Sequence, residues 1–365
     1  MNILVACDSF KDALPADAVC HAIAAGLKKS HPHAQVVEMP LSDGGEGLLD
    51  VLGRTLGLVW IEKQVADPLG RPVLGRYGLS GDKSTCVVEM AQASGLQLLT
   101  LAERDPRKTS TYGTGQLLAD ARMRGASHAL LAIGGSATND GGIGAAAALG
   151  WGFRDKDGDE VPPDGGHLGD IAALVPAAPP FAKMEVLCDV TNPLFGPNGA
   201  AWIYGRQKGG SDPVLAELDQ GLKHLARLVK DQLGRDIAEL PGAGAAGGLG
   251  YGAVAFLGAQ LRRGIEVVLD LTGFDAAARE ASLIITGEGH LDGQSAQGKL
   301  IQGLCGRANS TPVIALCGKL SATAEQINAI GLRAAYSINK EERALEEMLA
   351  NTARNLEQAA AELAL

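Results

Sequence analysis

The sequence lacks any cysteine pair with C-x-x-C spacing and any excess of positive charge. Its six cysteines are scattered along 365 residues, so neither a zinc site nor a disulfide framework is indicated, and a reducing compartment fits them. The formal net charge is −10, which disfavours wrapping nucleic acid or resting on an anionic membrane. A local group of Lys or Arg side chains can still reverse the potential inside a cleft, so an anionic substrate is not excluded.

Long hydrophobic runs are also missing. No apolar stretch approaches the roughly 18 residues that a membrane-spanning helix requires. The first apolar run ends at Asp8 and has no basic segment before it, which is typical of a buried strand rather than a signal peptide. We therefore expect a cytoplasmic protein that binds neither membrane nor nucleic acid. The sequence leaves the oligomeric state open, a homo-oligomer included.

Glycine is abundant. The 49 glycines are roughly twice the share expected from an average usage of about 7%. They cluster at the ends of apolar segments, where a backbone can approach a ligand closely. The hydrophobic content of 46% and charged content of 20% are those of a globular protein, and the length is sufficient for two domains.

Apolar strands alternate with helical patterns along much of the chain. Val19, Ile23 and Leu27 recur at helical spacing after the first strand. This alternation predicts an α/β fold with a doubly wound parallel sheet, Rossmann- or flavodoxin-like, that binds ligands at the carboxyl ends of its strands. The predicted strands of this sheet are residues 3–7, 36–39, 129–133, 283–285 and 313–316.

Two stretches interrupt the alternation. Residues 67–90 have the pattern of a hairpin, and residues from about 150 to 274 are rich in Pro and Gly with irregular strands. We therefore predict a mixed α/β domain inserted into a discontinuous Rossmann-like one. The Rossmann-like domain comprises residues 1–66, 91–136 and 275–365, and the inserted domain comprises residues 67–90 and 137–274.

Two loops combine glycine with acidic residues, at 43–47 and 139–142, and Gly287-Glu288-Gly289 is a third, shorter example. Backbone N–H groups in such loops can bind phosphate or carboxylate at a helix N-terminus. Their carboxylates suit Mg²⁺, which takes one or two of them together with phosphates and waters. The alternative is that the glycines only form tight turns and each Asp caps a helix.

Two further glycine motifs resemble nucleotide sites incompletely. Residues 242–247 match G-x-G-x-x-G, but the charged segment ending in Pro241 is not the strand that a dinucleotide fold requires. A close-packed or phosphate-facing loop is the better interpretation. Residues 293–299 match G-x-x-x-x-G-K, but Leu300 replaces the Ser or Thr of a P-loop, and the predicted strand ends at residue 285, too early. Lys299 remains a candidate phosphate ligand.

Polar residues also follow two other apolar runs. Asp8, Ser9 and Lys11 come directly after the first strand, where Lys11 could neutralise an acid or a phosphoryl group. Asp189 and Asn192 follow the run at 186–187 and are candidates for a general base and a substrate contact. A solvated turn is the alternative for both segments.

Taken together, these motifs resemble the bacterial glycerate kinase family, of the type that forms 2-phosphoglycerate. The resemblance implies ATP, Mg²⁺ and D-glycerate, and a two-domain fold whose first domain is discontinuous. His290 stands where the family pattern has Arg, and Ala13-Leu14-Pro15 replaces a more polar stretch. The matching segments, in order along almost the whole chain, are residues 8–11, 43–47, 111–115, 134–142, 188–194, 241–248 and 286–289.

We therefore predict that the motifs meet in one interdomain crevice, where the ATP γ-phosphoryl group passes to a glycerate hydroxyl. The product is 2-phosphoglycerate, with 3-phosphoglycerate as the alternative. Other classes left open are an NAD-dependent oxidoreductase of a small hydroxy acid and a non-catalytic small-acid-binding protein.

The predicted site residues are Asp189, Lys11 and Asp43 for catalysis; Asp8, Ser9, Lys11, Gly44, Gly45, Glu46 and Asn192 for glycerate; Gly134, Gly135, Ser136, Thr138, Gly244, Gly247, Glu288 and Lys299 for the nucleotide; and Asp43, Glu46 and Asp189 for the metal.

Overall fold

The computed structural model describes residues 1–43, 48–292, 300–341 and 344–364. The strands are β1 (Asn2–Cys7), β2 (Gln35–Pro40), β3 (Val59–Ala66), β4 (Pro72–Leu79), β5 (Thr85–Glu89), β6 (His128–Ala132), β7 (Gly152–Arg154), β8 (Ala173–Val175), β9 (Lys183–Leu187), β10 (Gln260–Arg262), β11 (Leu283–Leu291), β12 (Val313–Leu320) and β13 (Ala334–Ser337). The helices are α1 (Ala16–Ser30), α2 (Leu48–Thr55), α3 (Ala91–Ser94), α4 (Tyr112–Met123), α5 (Ile143–Ala148), α6 (Ala200–Tyr204), α7 (Asp212–Leu233), α8 (Ala245–Leu257), α9 (Gly264–Thr272), α10 (Phe274–Glu280), α11 (Leu300–Arg307), α12 (Ala324–Ile330), α13 (Leu345–Ala350) and α14 (Thr352–Ala361).

The chain divides into two compact units. The first contains Met1–Leu56 and Arg263–Leu365, and the second contains Gly57–Arg262. The predicted boundaries differ from this division at residues 57–66 and 91–136, which lie in the second unit, and at 263–274, which lie in the first. The reason is strand pairing: β3 pairs with β4, and β6 pairs with β5 and β9. Whether each unit folds as a separate domain stays a prediction.

The first unit contains the predicted parallel sheet without residues 129–133, whose strand, β6, belongs to the sheet of the second unit. Its strand order is β13-β12-β11-β1-β2, and every neighbouring pair is parallel. Strand β1 is buried along almost its whole length, as expected for a strand covered on both faces. Helix α1 turns Val19, Ile23 and Leu27 inward. Helix α14 approaches α1 so closely that a Cβ at Gly26 would lie 2.1 Å from the Glu357 carbonyl oxygen, so glycine is required there.

Strands β11 and β12 are longer than predicted. The segments that we interpreted as loops after residues 285 and 316 continue the ladder, with Glu288 beside Cys317 and His290 beside Lys319. The prediction that Gly287-Glu288-Gly289 forms a loop is therefore wrong. Glycine was treated as a turn signal, whereas Gly287 allows close strand packing: a Cβ there would lie 2.5 Å from the Leu316 carbonyl oxygen.

The second unit contains a mixed sheet of order β10-β9-β6-β5-β4-β3. Strand β4 is antiparallel to both of its neighbours, β3 and β5, which confirms the predicted hairpin, while β5, β6, β9 and β10 are parallel. Its core includes Trp151, whose indole N–H donates to the Phe256 carbonyl over 2.8 Å. Among the described residues, no helix is both long and apolar enough to cross a membrane.

Candidate active site

In the first unit, predicted site residues follow the carboxyl ends of β1 and β2. These strands end together, with Cys7 opposite Pro40, so Asp8 and Asp43 leave the sheet at the same edge. The Asp8 carboxylate accepts hydrogen bonds from the Ser9 backbone N–H over 2.6 Å and from the Ser9 hydroxyl over 3.3 Å. Asp8, Ser9 and Asp43 are therefore brought together.

Asp8 and Asp43 interact electrostatically. Burial, and after it the negative charge of Asp43, raise the pKa of Asp8 to about 7. Two carboxylates this close disfavour each other's ionised form unless a cation lies between them. This donor set fits Mg²⁺, which accepts one or two carboxylates.

The turn after Ser9 places Lys11 at the same edge. The Phe10 N–H donates to the Leu14 carbonyl over 2.8 Å, and the Phe10 ring is buried, whereas Lys11 is exposed. Strand β11 passes beside this turn: a Cβ at Gly289 would lie 3.7 Å from the Lys11 backbone nitrogen. Glu288, predicted to contact the nucleotide, is thus on a strand next to the residues predicted for glycerate.

In the second unit, three predicted motifs pack against one another. Strands β6 and β9 end together, with Ala132 opposite Leu187, and the segments at 134–142 and 188–194 follow them. The segment at 242–248 joins both, because the Gly141 N–H donates to the Gly247 carbonyl and the Gly244 N–H donates to the Asn192 carbonyl, each over 3.0 Å. Distant stretches of the sequence therefore converge at this strand edge.

Gly244 and Gly247 are required by this packing. A Cβ at Gly244 would lie 2.2 Å from the Pro193 carbonyl oxygen, and one at Gly247 would lie 2.0 Å from the Thr138 carbonyl oxygen. Gly247 also has a φ of +69°. Within residues 235–241, which the structure describes in full, no strand leads into Gly242. The dinucleotide interpretation therefore lacks its structural context, and nucleotide contact by Gly244 and Gly247 stays a prediction.

Asn192 and Asp189 differ in their surroundings. The Asn192 side chain is held by two hydrogen bonds, since its Oδ1 accepts from the Tyr204 hydroxyl over 2.6 Å and its Nδ2 donates to the Asn198 carbonyl over 2.9 Å. It thus shapes the loop that carries Asp189. Asp189 itself is exposed, as a residue that meets a substrate can be.

Residues 134–142 run from the surface into the interior. Gly134 and Gly135 are exposed, Ser136 is half-buried, and Thr138, Asn139 and Asp140 are buried. The Asp140 carboxylate accepts from the Gly142 N–H over 3.1 Å and the Gly144 N–H over 3.3 Å. Asp140 therefore binds N–H groups at the N-terminus of helix α5, although the N-cap residue itself is Gly142.

Asp140 also ties this loop to the start of α4. The Thr111 backbone N–H and the Thr111 hydroxyl both donate to it over 2.7 Å. Burial raises the pKa of Asp140, while these hydrogen bonds oppose that shift. Its carboxylate oxygens are thus occupied by donors of the protein itself.

Lys208 is a buried cation that sequence reasoning missed. It is 1% exposed, and its Nζ donates to the Thr138 carbonyl oxygen over 2.7 Å. Burial lowers the pKa of Lys208 to about 7, against the opposing charge of Asp140. Lys208 ends a short 3₁₀ turn (Arg206–Lys208) after α6. Its flanking residues, polar and glycine-rich, give no sign that a lysine here is buried.

Several buried polar atoms near Lys208 have no hydrogen-bond partner among the described residues. They are the Thr138 hydroxyl and both polar atoms of the Asn139 amide. Native proteins pair most buried polar groups. Such a concentration in one loop is typical of a site that receives water or a ligand.

The model of the glycerate kinase family matches residues 3–365. The chain belongs to the glycerate kinase family. Kinases of this family use ATP, and the prediction of such an enzyme is confirmed. The chain is 43% identical to a glycerate kinase of Bacillus cereus, with 100% of the chain and 97% of the relative covered. It is 41% identical to the glycerate 2-kinase of Escherichia coli, with 93% and 90% covered.

A solved structure of a glycerate kinase supports the same assignment. The structure, described as that of a glycerate kinase 2 from Salmonella typhimurium LT2, is 39% identical and has a TM-score of 0.88, with 99% of this chain and 96% of the other covered. The predicted α/β fold with a parallel sheet is confirmed. Four predicted site residues lie outside the described residues: Gly44, Gly45, Glu46 and Lys299.

Proposed function

We propose that this glycerate kinase family member transfers the γ-phosphoryl group of ATP to the 2-hydroxyl of D-glycerate, giving 2-phosphoglycerate. The observation that carries the proposal is the convergence of the family's motifs at strand ends within each unit. The 2-position rests on the E. coli relative, which is named a glycerate 2-kinase. An acyclic hydroxy acid and a triphosphate are both anionic, and the cations Lys11 and Lys208 belong to these two groups of motifs.

The chemistry demands positioning and charge neutralisation rather than covalent catalysis. The glycerate hydroxyl oxygen forms a bond to the γ-phosphorus, the bond from that phosphorus to the β-phosphate oxygen breaks, and ADP leaves. We assign the hydroxyl proton to the Asp189 carboxylate, the proposed general base. The exposed ammonium of Lys11 neutralises the glycerate carboxylate or the transferred phosphoryl group.

We assign residues to the nucleotide and to the metal according to the chemical groups that they present. We propose that the exposed backbone at Gly134 and Gly135, with Ser136, binds nucleotide phosphates, where N–H groups can donate. Asp43, with Asp8 beside it, would hold Mg²⁺, for which Glu46 and Asp189 are further proposed ligands. Mg²⁺, when bound, neutralises charge on the phosphate oxygens.

An ADP-release assay with a panel of small hydroxy acids tests the proposal. We expect ADP release to depend on D-glycerate, without any change in nicotinamide absorbance when NAD is added. Binding of glycerate without ADP release would indicate a non-catalytic binding protein and contradict the proposal. Oxidation of glycerate with NAD would contradict it in favour of a dehydrogenase.

A further inference from the structure

One loop of the second unit contains buried polar side chains whose hydrogen-bonding capacity is not used within the described residues. Thr138 and Asn139 are fully buried and Lys208 is 1% exposed. The Thr138 hydroxyl and the Asn139 amide have no partner in that part of the chain, and the Lys208 ammonium donates to the Thr138 carbonyl. A fold gains nothing from unpaired buried polar atoms, since each loses its hydration without a replacement.

The three residues are neighbours in the fold. The Lys208 ammonium donates to the Thr138 backbone carbonyl oxygen over 2.7 Å, and Asn139 is the next residue along the chain. Asp140 is near enough for its charge to act on Lys208, but its own oxygens accept from Thr111, Gly142 and Gly144. The unused hydrogen-bonding groups are therefore a cation, a hydroxyl and an amide.

The combination of donors and acceptors distinguishes a hydroxy acid from the triphosphate group of the nucleotide. An amide always presents one donor and one acceptor, whichever way it is turned, and a hydroxyl can do either. Phosphate oxygens that carry no proton can only accept, so a buried amide oxygen facing them would be repelled. A hydroxy acid has an acceptor carboxylate for the ammonium and hydroxyl groups that donate as well as accept.

We propose that Thr138, Asn139 and Lys208 bind the hydroxy-acid substrate, with its carboxylate at Lys208 and its hydroxyls at Thr138 and Asn139. The inference rests on the proposed function, assigns Thr138 to glycerate rather than to the nucleotide, and leaves the transferred phosphoryl group to Lys11. Complete burial suits a three-carbon acid, which a protein can enclose more readily than a nucleoside triphosphate.

The behaviour of Lys208 agrees with this assignment. Burial lowers its pKa to about 7, and a carboxylate beside the ammonium would favour the charged form again. Lysines shifted in this way are common at functional sites.

Steady-state kinetics of Thr138→Val and Lys208→Met test the inference. Because the Thr138 hydroxyl has no partner among the described residues, Thr138→Val should leave the melting temperature unchanged or raise it. It should raise the KM for D-glycerate by about tenfold, and Lys208→Met by more, since hydrogen bonds to charged groups are the stronger ones. The KM for ATP should stay within about twofold of the wild-type value.

Thr114→Val is the matched control. Thr114 is equally buried, but its hydroxyl is paired with the Ser94 hydroxyl over 2.7 Å. This variant should lower the melting temperature and leave the KM for glycerate unchanged. If Lys208→Met does not fold, Thr138→Val decides alone.

A glycerate KM within about twofold of wild type in Thr138→Val would overturn the inference and indicate that the loop holds internal water only. A rise in the KM for ATP instead would also overturn it, in favour of the nucleotide. In both cases the wild-type enzyme still phosphorylates glycerate. A wild-type enzyme that is inactive toward glycerate would instead contradict the proposed function and the inference with it.

Discussion

The buried polar groups at the two ends of strand β6 differ in whether they have hydrogen-bond partners. At its start, the His128 ring nitrogen Nε2 lies 2.7 Å from Glu185, which is also contacted by Lys183 over 2.7 Å and Arg262 over 2.8 Å. Beyond its carboxyl end, Thr138 and Asn139 are just as buried, yet their side-chain polar atoms lack partners among the described residues.

The paired groups at the start of β6 serve the stability of the fold, whereas the unpaired groups beyond its end are candidates for binding a ligand. Removing the charge of a buried carboxylate that has three cationic or imidazole partners destabilises a fold. Unpaired polar groups at the carboxyl end of a parallel strand lie where α/β sheets bind ligands. The same strand thus has a stabilising cluster at one end and a proposed binding site at the other.

The largest effect is expected from replacing the carboxylate of Asp189, which lies beyond the carboxyl end of β9. Asp189 lies two residues beyond the end of β9, whereas Glu185 lies within that strand. Asp189→Asn keeps the shape of the side chain but removes the base, so kcat should fall by about 10²–10⁴-fold with little change in KM. Steady-state kinetics with Asp231→Asn, an exposed aspartate on α7, as control would check this. Near-normal turnover of Asp189→Asn would remove its assigned role.

For Glu185, near the start of β6, we expect a loss of stability without a loss of activity. Glu185→Gln removes the charge that Lys183, Arg262 and His128 share, so the free energy of unfolding at pH 7 should fall by about 2 kcal/mol. Urea unfolding measures this, and kcat should remain that of the wild type. Unchanged stability together with impaired turnover would contradict the stabilising role of Glu185 and indicate a role in catalysis.

The stabilising cluster should also respond to pH. Burial favours neutral Glu185, but hydrogen bonds from Lys183, Arg262 and His128 outweigh it and lower its pKa to about 2. A depressed carboxyl pKa contributes stability above the unfolded-state value of about 4.3 and loses it as the pH falls toward 2. The stability difference between wild type and Glu185→Gln should therefore shrink from pH 5 to pH 3. A constant difference over that range would contradict the assigned pairing.

The smallest effect is expected for Asn192, which lies beyond the end of β9 and whose side chain is already hydrogen-bonded. The Tyr204 hydroxyl donates to the Asn192 amide, so Tyr204→Phe removes one hydrogen bond that shapes the Asp189 loop. We expect a loss of about 1 kcal/mol in the free energy of unfolding, measured by urea denaturation, and a modest fall in kcat. A loss of kcat as large as that of Asp189→Asn would show that Tyr204 has a direct role.

Sequence patterns predicted the fold well where strands are continuous apolar runs. Strands β1 and β6 were placed to within a residue or two, because burial on both faces leaves no polar interruption. Strand β2 was placed equally well, although none of its residues is fully buried. Strand β11 was ended too early, since Gly287 permits close strand packing rather than a turn. The assignment of residues 91–136 to a sheet could not be predicted, because an α/β rhythm does not specify which sheet a strand joins.

The candidate site was predicted in part for a related reason. Residues at strand ends, such as Asp8 and Asp189, are marked by the transition from apolar to polar sequence. Lys208 has no such mark, because its burial arises from contacts with Thr138, 70 positions away in the chain. The pairing state of Thr138 and Asn139 likewise depends on tertiary contacts.

Phosphorus NMR of a mixture of the protein, D-glycerate, ATP and Mg²⁺ identifies the phosphorylated product itself. We expect the γ-phosphate resonance of ATP to decline while those of ADP and 2-phosphoglycerate grow in equal amounts. Persistence of ATP and D-glycerate under these conditions, with folded protein, would contradict the proposed function.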